Sequence, residues 1–285
     1  MSLATLLETL NSVIWSPALV FLCLVVGVYF TLTTLFLQVR CLPDMMRQIV
    51  SNEKSGSGVS SFESLMISLA GRVGVGNIAG VATAIAFGGP GAVFWMWAVA
   101  LLGSATSFIE CTLAQIYKEK DRDTGEYRGG PAYYIEKAYK HTRVGKFMLV
   151  YAVVFAVAMM LATSYFLPGI QANGVAAAMH NAWGTDVRIS AVVLGILLAV
   201  IIMGGVRRIA NFASLVVPFM AIIYILAAVI IMFVNFHHID DVFSLIFRSA
   251  FDREAMFSGM LGSAIMWGVK RGIYSNEAGQ GTGPQ

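Results

Sequence analysis

Long apolar blocks without any charged residue alternate with short charged segments along this chain of 285 residues. Residues 13–37, 147–179 and 209–236 are three such blocks, and each exceeds the length of about 20 apolar residues that crosses a bilayer as a helix. Because lipid offers the backbone no hydrogen-bond partners, helices are expected rather than open strands. The pattern predicts seven spanning helices, at 13–37, 64–87, 91–116, 146–167, 188–204, 209–235 and 256–276.

Two further stretches are predicted to be helical but less regular. The apolar run continues through 168–183, where it contains Pro168 and Gly169 and the amide side chains of Gln171 and Asn173. This stretch is either a bent extension of the fourth helix or a short interfacial helix. Residues 132–140 follow Pro131 and are predicted to form an amphipathic interfacial helix, since proline is common in the first turn of a helix.

The composition supports a membrane protein. Charged residues make up 12% of the chain and hydrophobic residues 58%, whereas a soluble domain carries about a quarter charged residues. The N-terminus has Glu8 and no lysine or arginine before Arg40, so no signal peptide is predicted. The three cysteines lack metal-ligand spacing, and no nucleophile–base cluster suggests an enzyme.

Lysine and arginine residues gather on one side of the predicted helices. Loops 38–63 and 117–146 and the turn at Arg207 and Arg208 carry most of them, while the opposite side has three arginines. By the positive-inside rule these loops face the cytoplasm, and the N-terminus lies outside the cell membrane. The net charge of +3 therefore reflects membrane topology, and no nucleic-acid partner is predicted.

Two of the predicted helices contain segments rich in glycine. In the second helix, four glycines, Arg72 and Asn77 fall between residues 71 and 80, which makes a poor continuous helix. Irregular backbone near the middle of a membrane is tolerated only where it is buried in protein or lines a cavity. The seventh helix repeats the feature over residues 268–284. Glycines also serve close helix packing, and for the second helix alone both interpretations stay open.

The two glycine-rich segments can be aligned with one another. Placing Arg72 on Arg271 brings Asn77 onto Asn276, and the first segment enters from the cytoplasm while the second enters from outside. Four helices lie between them, so the pattern predicts an inverted five-helix repeat. Paired interruptions of this type indicate the substrate and ion site of a transporter. The predicted segments are an extra N-terminal helix with a cytoplasmic loop (1–63), the first repeat (64–235) and the start of the inverted second repeat (236–285).

A helix break exposes two kinds of binding group. N–H groups at the start of the second half-helix carry partial positive charge, and carbonyl groups at the end of the first carry partial negative charge. An amino-acid carboxylate is therefore expected near the N–H groups of Val75, Gly76 and Asn77, and a sodium ion near carbonyl and amide oxygens. Gln171 is expected to reach this site from the fourth helix.

Several motifs resemble those of one transporter family. They are residues 76–82 (GNIAGVA), 88–92 (GGPGA), 128–131 (RGGP) and 271–281 (RGIYSNEAGQG). Through them the chain resembles the alanine/glycine:cation symporter family over essentially its whole length from the second helix onward. The resemblance implies an all-α integral membrane protein with an inverted-repeat fold like that of the leucine transporter (LeuT), plus one extra N-terminal helix. It also implies sodium-coupled uptake of a small neutral amino acid, with sodium as coupling ion and no cofactor.

The resemblance implies a set of site residues as well. Those expected to bind the substrate are Gly74, Val75, Gly76, Asn77 and Gln171, with Trp267, Ser275 and Asn276 closing the pocket. The cation would bind the carbonyls of Ala70 and Val73, together with Asn77. Arg72 and Glu277 lie at similar depth and are expected to form a structural or gating pair.

Members of that family are longer than this chain, which stops at Gln285 soon after the second glycine-rich segment begins. The resemblance therefore predicts an N-terminal fragment that lacks four helices of the second repeat. Two alternatives stay open beside the symporter: a passive channel or pore, and an inactive truncated fragment. The residues also leave open alanine or glycine as substrate, and sodium or proton as coupling ion.

Overall fold

The computed structural model of this protein describes residues 3–51, 60–123, 125, 127–251 and 260–284. The helices, in chain order, are α1 (Leu3–Ile14), α2 (Pro17–Thr33), α3 (Leu37–Arg40), α4 (Leu42–Ser51), α5 (Ser61–Arg72), α6 (Val75–Gly88), α7 (Gly91–Tyr117), α8 (Pro131–Tyr139), α9 (Gly145–Leu161), α10 (Leu167–Trp183), α11 (Val187–Ile202), α12 (Gly205–Val234), α13 (Ile239–Phe251) and α14 (Met260–Asn276). A π-helical segment (Ala162–Phe166) joins α9 to α10, and a 3₁₀ turn (Phe236–His238) precedes α13. Two short strands, β1 (Glu119–Lys120) and β2 (Tyr127–Arg128), pair antiparallel.

The prediction of a helical membrane protein is confirmed. Among the described residues, five helical runs are long and apolar enough to cross a membrane: Thr5–Thr33, Ser61–Gly88, Gly91–Tyr117, Gly145–Trp183 and Gly205–Val234. The predicted spans 188–204 and 256–276 correspond to the shorter helices α11 and α14, of 16 and 17 residues. Residues 256–259 of the last span lie outside the described residues.

The outer faces of the long helices carry apolar side chains. On α12, Leu215, Phe219 and Phe233 are 75%, 68% and 81% exposed. A water-soluble protein rarely exposes a continuous apolar surface of this kind. The arrangement is the one expected of helices whose solvent is lipid.

The first span differs from its prediction. The sequence predicts 13–37, whereas the helical run begins with α1 at Leu3, and α2 ends at Thr33. Polar residues such as Glu8 in α1 interrupt the apolar block without interrupting the helical period, so a search for apolar blocks misses this helix. Pro17 stands in the first turn of α2, where its missing N–H removes no helical hydrogen bond.

The predicted loops contain helices that the apolar blocks do not reveal. Helix α3 begins at Leu37 and continues into the loop predicted at 38–63, α4 lies within that loop, and α13 lies after the 3₁₀ turn. For α13 the sequence does hold a signal. Asp240 and Asp241 occupy its first turn and Arg248 its last, and these charges favour a helix through its macrodipole.

The stretch after the fourth predicted helix is a continuation of that helix. The run from Gly145 to Trp183 is unbroken, so the alternative of a separate interfacial helix is wrong. Within the π segment, the Thr163 hydroxyl donates to the Met159 carbonyl at 2.8 Å and the Ser164 hydroxyl to the Met160 carbonyl at 2.5 Å. Hydroxyl groups that bond back to the preceding turn in this way often accompany a bend in a helix.

The helix predicted after Pro131 is present as α8, and it packs lengthwise along α9. At one end, a Cβ at Gly145 would lie 2.7 Å from the Tyr139 carbonyl oxygen, so the connecting turn is tight. Burial raises the pKa of Tyr134 to about 12, and the nearby charge of Glu110 adds to the shift. The amphipathic pattern of α8 therefore reflects a face that is covered by protein.

The short β1–β2 ribbon is tied to α8 by ion pairs. Arg128 pairs with Asp121, and Lys137 Nζ lies 2.9 Å from Glu119 Oε1. The hydrogen bond from Lys137 holds the pKa of the Glu119 carboxyl below its usual value. Lysines and acids of this predicted cytoplasmic loop thus neutralise one another locally.

The structure divides into two compact units, each made of separate chain segments. The first unit comprises Met1–Leu42, Gly80–Ile109 and Met232–Gln280, and its core contains Val20, Val99, Val269 and Ile273. The second unit comprises Pro43–Ala79, Glu110–Ile231 and Gly281–Gln285, and its core contains Met66, Ala213 and Val217.

Close packing in the first unit depends on Gly268. A Cβ at this position would lie 2.6 Å from both the Ala92 carbonyl oxygen and Trp95 Cβ. At Gly262, on the same helix α14, an added Cβ would meet nothing within 4 Å. The contrast provides a matched pair of substitutions.

We expect Gly268→Ala to destabilise the protein by about 1–3 kcal/mol, because backbone and side chain must move apart. Gly262→Ala should leave stability unchanged or raise it by up to about 1 kcal/mol, since alanine favours a helix. Unfolding in detergent, followed by tryptophan fluorescence, measures both variants. Equal stability of the two would contradict the packing described for α14.

Candidate functional site

The predicted irregular backbone in the second span is confirmed as a two-residue break. The helix α5 ends at Arg72 and α6 begins at Val75, so Val73 and Gly74 belong to neither. The Val73 N–H still donates to the Leu69 carbonyl at 2.8 Å, which makes Val73 the last residue attached to α5. The break therefore creates a helix end and a helix start within one span.

Gln171 reaches the break from α10, as the sequence predicts. The Val75 N–H donates to Gln171 Oε1 at 3.1 Å, and both residues lie in the second unit. Next to it, the N–H groups of Asn77 and Ile78 donate to the Gly74 carbonyl at 3.0 and 3.2 Å. The side-chain amide of Gln171 thus satisfies a donor at the start of α6 that the helix itself cannot satisfy.

A second residue of α10, Gly174, fixes the distance between α10 and the break. A Cβ at Gly174 would lie 2.7 Å from Val75 Cγ2. Gln171 and Gly174 are three residues apart, so both face the break from one side of α10. Our sequence reasoning selects Gln171 but not Gly174, although this i, i+3 spacing was a usable signal.

On the α5 side of the break, the Arg72 carbonyl already accepts a hydrogen bond. The Asn77 side-chain amide donates to the Arg72 carbonyl. The predicted cation ligands are the Ala70 and Val73 carbonyls, and neither accepts a hydrogen bond from another residue in the described part of the chain. The third predicted ligand is the side-chain amide of Asn77. Carbonyl and amide oxygens of this kind suit a hard cation such as sodium.

The second predicted break follows α14. Glu277, Gly279 and Gly281 have φ values of 56°, 80° and 75°, in the left-handed region that ends a helix. The helix stops at Asn276, within the motif that the sequence singles out. The irregular segment that the sequence predicts is therefore present here as well.

The amide of Asn276 has partners within its own unit. Its Nδ2 donates to the Val99 carbonyl at 3.2 Å, and its Oδ1 accepts from the Ala278 N–H at 3.0 Å. Gly103 makes room for this turn, since a Cβ there would lie 2.8 Å from Ala278 Cβ. These contacts give Asn276 a role in shaping the turn, and its role as a substrate ligand stays a prediction.

We expect Asn276→Ala to loosen the turn after α14. The substitution removes two hydrogen bonds and leaves the Val99 carbonyl and Ala278 N–H without these partners, at a cost of about 1–3 kcal/mol each. Hydrogen exchange of residues 277–281 should accelerate, while exchange in α5 stays unchanged. Unaltered exchange at 277–281 would contradict the structural role of Asn276.

Trp267 and Ser275 lie on the same helix, α14. The Trp267 ring stacks on Phe87 with centroids 4.9 Å apart, and the Arg271 guanidinium carbon lies 5.5 Å from the Trp267 ring centroid. Ser275 is buried.

Arg72 and Glu277 belong to different units, so their pairing stays a prediction.

A cavity of about 300 Å³ in the second unit was not predicted. Its lining is mainly apolar and consists of Gly129, Pro131, Ala132, Tyr133, Phe155, Ala156, Met159, Met160 and Thr163. It lies between the start of α8 and the region where α9 meets the π segment. The sequence gives no signal for it, because it depends on how α8 packs along α9.

Comparison with known proteins decides the family. The model of the sodium:alanine symporter family matches residues 1–285. The chain belongs to this family. The two glycine-interrupted spans described above are therefore features of a sodium:alanine symporter family member.

Individual relatives carry related names. A Bacillus subtilis protein, "Putative sodium/proton-dependent alanine carrier protein YrbD", is 54% identical over 282 residues, covering 99% of this chain and 56% of the relative. "Probable sodium/glutamine symporter GlnT" of the same species is 44% identical, covering 96% and 56%. "Sodium/alanine symporter AgcS" of Methanococcus maripaludis is 42% identical, covering 100% and 62%. The chain thus spans 56% to 62% of the length of these three relatives.

Proposed function

We propose that this chain provides the first part of a sodium-coupled symporter for alanine or glycine in the cell membrane. The observation that carries the proposal is the break at Val73 and Gly74, next to which Gln171 accepts from the Val75 N–H, in a member of the sodium:alanine symporter family. The relatives named for alanine support the substrate class. Because the chain spans 56% to 62% of those relatives, transport is proposed for the whole-length protein.

The substrate carboxylate binds at the start of α6 in this proposal. The N–H groups of the first turn carry the positive end of the helix dipole. Gln171 accepts from Val75 through Oε1, which leaves its Nε2 to donate to the carboxylate. Gly74 and Gly76 add no side chain, so the carboxylate has access to the backbone.

Sodium binds at the end of α5, at the carbonyls of Ala70 and Val73 with the side-chain oxygen of Asn77. The break is only two residues long, so the ion and the carboxylate are neighbours. Their opposite charges attract strongly where water is excluded. Each therefore raises the affinity for the other by the same factor, which couples uptake of the amino acid to sodium.

The remaining parts of the proposal rest on the sequence repeat and the family. They are a LeuT-like inverted repeat with an extra N-terminal helix, an N-terminus outside, and the segments 1–63, 64–235 and 236–285. Trp267, Ser275 and Asn276 are proposed as further substrate residues.

Exchanging the charges of Arg72 and Glu277 tests their pairing. If each single variant loses uptake and the exchanged double variant recovers it, the pairing is supported. If the double variant does not recover uptake, the pairing is contradicted.

Uptake of labelled alanine into proteoliposomes tests the function. Two proteins are compared: this chain, and this chain joined to the part of the 54% identical Bacillus subtilis relative that follows its matched region, here named the extended protein. We expect the extended protein to concentrate alanine only with an inward sodium gradient. Equilibration without concentration would favour a passive channel, and no uptake under a sodium or proton gradient would contradict the proposal.

The substrate is settled by competition in the same assay. Unlabelled glycine should compete with alanine, whereas glutamine should compete poorly. Glutamine is the alternative substrate because it appears in the name of a relative that is 44% identical to this chain. Stronger competition by glutamine than by glycine would replace the substrate in the proposal.

A further inference from the structure

The turn between α8 and α9 carries a group of exposed basic residues. Residues 140–146, named here the basic turn, contain Lys140, His141, Arg143 and Lys146. All four are exposed. No aspartate or glutamate occurs in the sequence between Glu136 and Asp186.

Three cations elsewhere in the same loop have close partners. Arg128 pairs with Asp121, and Lys137 pairs with Glu119. Lys118 donates to Gln115 and lies 4.4 Å from the Tyr127 ring centroid. By contrast, Arg143 and Lys146 form no ion pair within the described part of the chain.

The backbone of the basic turn is held by its own hydrogen bonds. The Thr142 N–H and hydroxyl both donate to the Tyr139 carbonyl, at 2.9 and 2.8 Å, and the Gly145 N–H donates to the Thr142 carbonyl at 3.1 Å. Gly145 approaches the Tyr139 carbonyl more closely than any side chain would allow. The cations therefore project from a fixed backbone, which lowers the entropy lost on binding a ligand.

Apolar residues follow the basic turn directly. Phe147 is 71% exposed and Val150 62% exposed, on a helix that belongs to a membrane-spanning run. A change from exposed cations to exposed apolar side chains marks the level of the lipid headgroups. Phosphate groups of anionic lipids are the negative charges found at that level.

We propose that the basic turn binds the phosphate headgroup of an anionic phospholipid. Lys140, Arg143 and Lys146 supply the charge, and the acyl chains lie along Phe147 and Val150 on α9. Clusters of lysine and arginine at this level attract anionic lipid headgroups. The inference does not depend on the transport function.

Thermal unfolding of the purified chain tests the proposal, with phosphatidylglycerol or phosphatidylcholine added to neutral detergent. Phosphatidylglycerol should raise the melting temperature more than phosphatidylcholine does. The triple variant K140Q/R143Q/K146Q should lose this difference. The control K118Q/K120Q/R122Q removes the same charge from the β1–β2 side of the loop and should keep it.

Salt and phosphate complete the test on the unmodified chain. The effect of phosphatidylglycerol should weaken as salt rises from about 0.05 to 0.5 M, since screening shortens the range of surface charges. Inorganic phosphate alone should give no shift. The proposal is overturned if the basic-turn variant keeps the phosphatidylglycerol effect, if the control loses it equally, or if phosphate alone reproduces it.

Discussion

Replacing Gln171 by leucine is expected to abolish most sodium-driven alanine uptake by the extended protein. The leucine side chain has no acceptor for the Val75 N–H, whose donation to Gln171 Oε1 is the only hydrogen bond found for it in the described residues. The bond is part-buried, and leaving such a donor without an acceptor costs about 1 kcal/mol or more, which corresponds to a loss of function at the break of about 5-fold or more. The loss of the Nε2 donor to the substrate adds to this effect.

The matched control is Asn173→Leu on the same helix. Asn173 is exposed and lies two residues away, on a different side of α10. This variant changes the same type of side chain and should retain uptake. If Gln171→Leu transports as well as Asn173→Leu, the amide does not hold the break in a functional geometry.

The second large effect is expected at Gly174. Alanine here would place a methyl group 2.7 Å from Val75 Cγ2, closer than carbon atoms approach one another. Either α10 or the start of α6 must move, at a cost of about 1–3 kcal/mol. Gly169 is the control, because an added Cβ there meets nothing within 4 Å. We expect Gly174→Ala to lower uptake about tenfold or more, and Gly169→Ala to have little effect.

A compensating substitution separates this steric effect from general damage. Val75→Ala removes the methyl groups that a side chain at 174 would meet. The double variant Val75→Ala with Gly174→Ala should therefore recover uptake relative to Gly174→Ala alone. Uptake in the double variant that is no better than in the single variant would contradict the contact between α10 and the break.

The apolar blocks of the sequence predict the spanning helices well, because lipid imposes both their length and their composition. They fail where a helix is amphipathic or covered by protein. α1 carries Glu8 within its helical period, and α13 begins with two aspartates. The π segment is not predictable in this way, since Ala162–Phe166 contains no charged residue that would interrupt the apolar block, and its geometry comes from one extra residue in a turn.

The sequence predicts those parts of the site where a residue type is energetically unfavourable in a membrane-spanning helix. Glycines with Arg72 and Asn77 identify the break, and Gln171 stands out as an amide in an apolar run. Gly174 was missed, because a glycine required by packing resembles one that is merely tolerated. The hydrogen bond from the Asn276 side chain to the Val99 carbonyl could not be predicted from the sequence either, since the two residues are distant along the chain.

Hydrogen exchange across the first break tests the central claim most directly, namely that sodium and the amino acid bind at Val73–Gly74. Exchange of residues 70–78 in the extended protein is measured with sodium alone, alanine alone, both together, and alanine with potassium. We predict strong protection of these amides only with sodium and alanine together. Unchanged exchange at 70–78, in protein that still concentrates alanine with sodium, would contradict this location of the site.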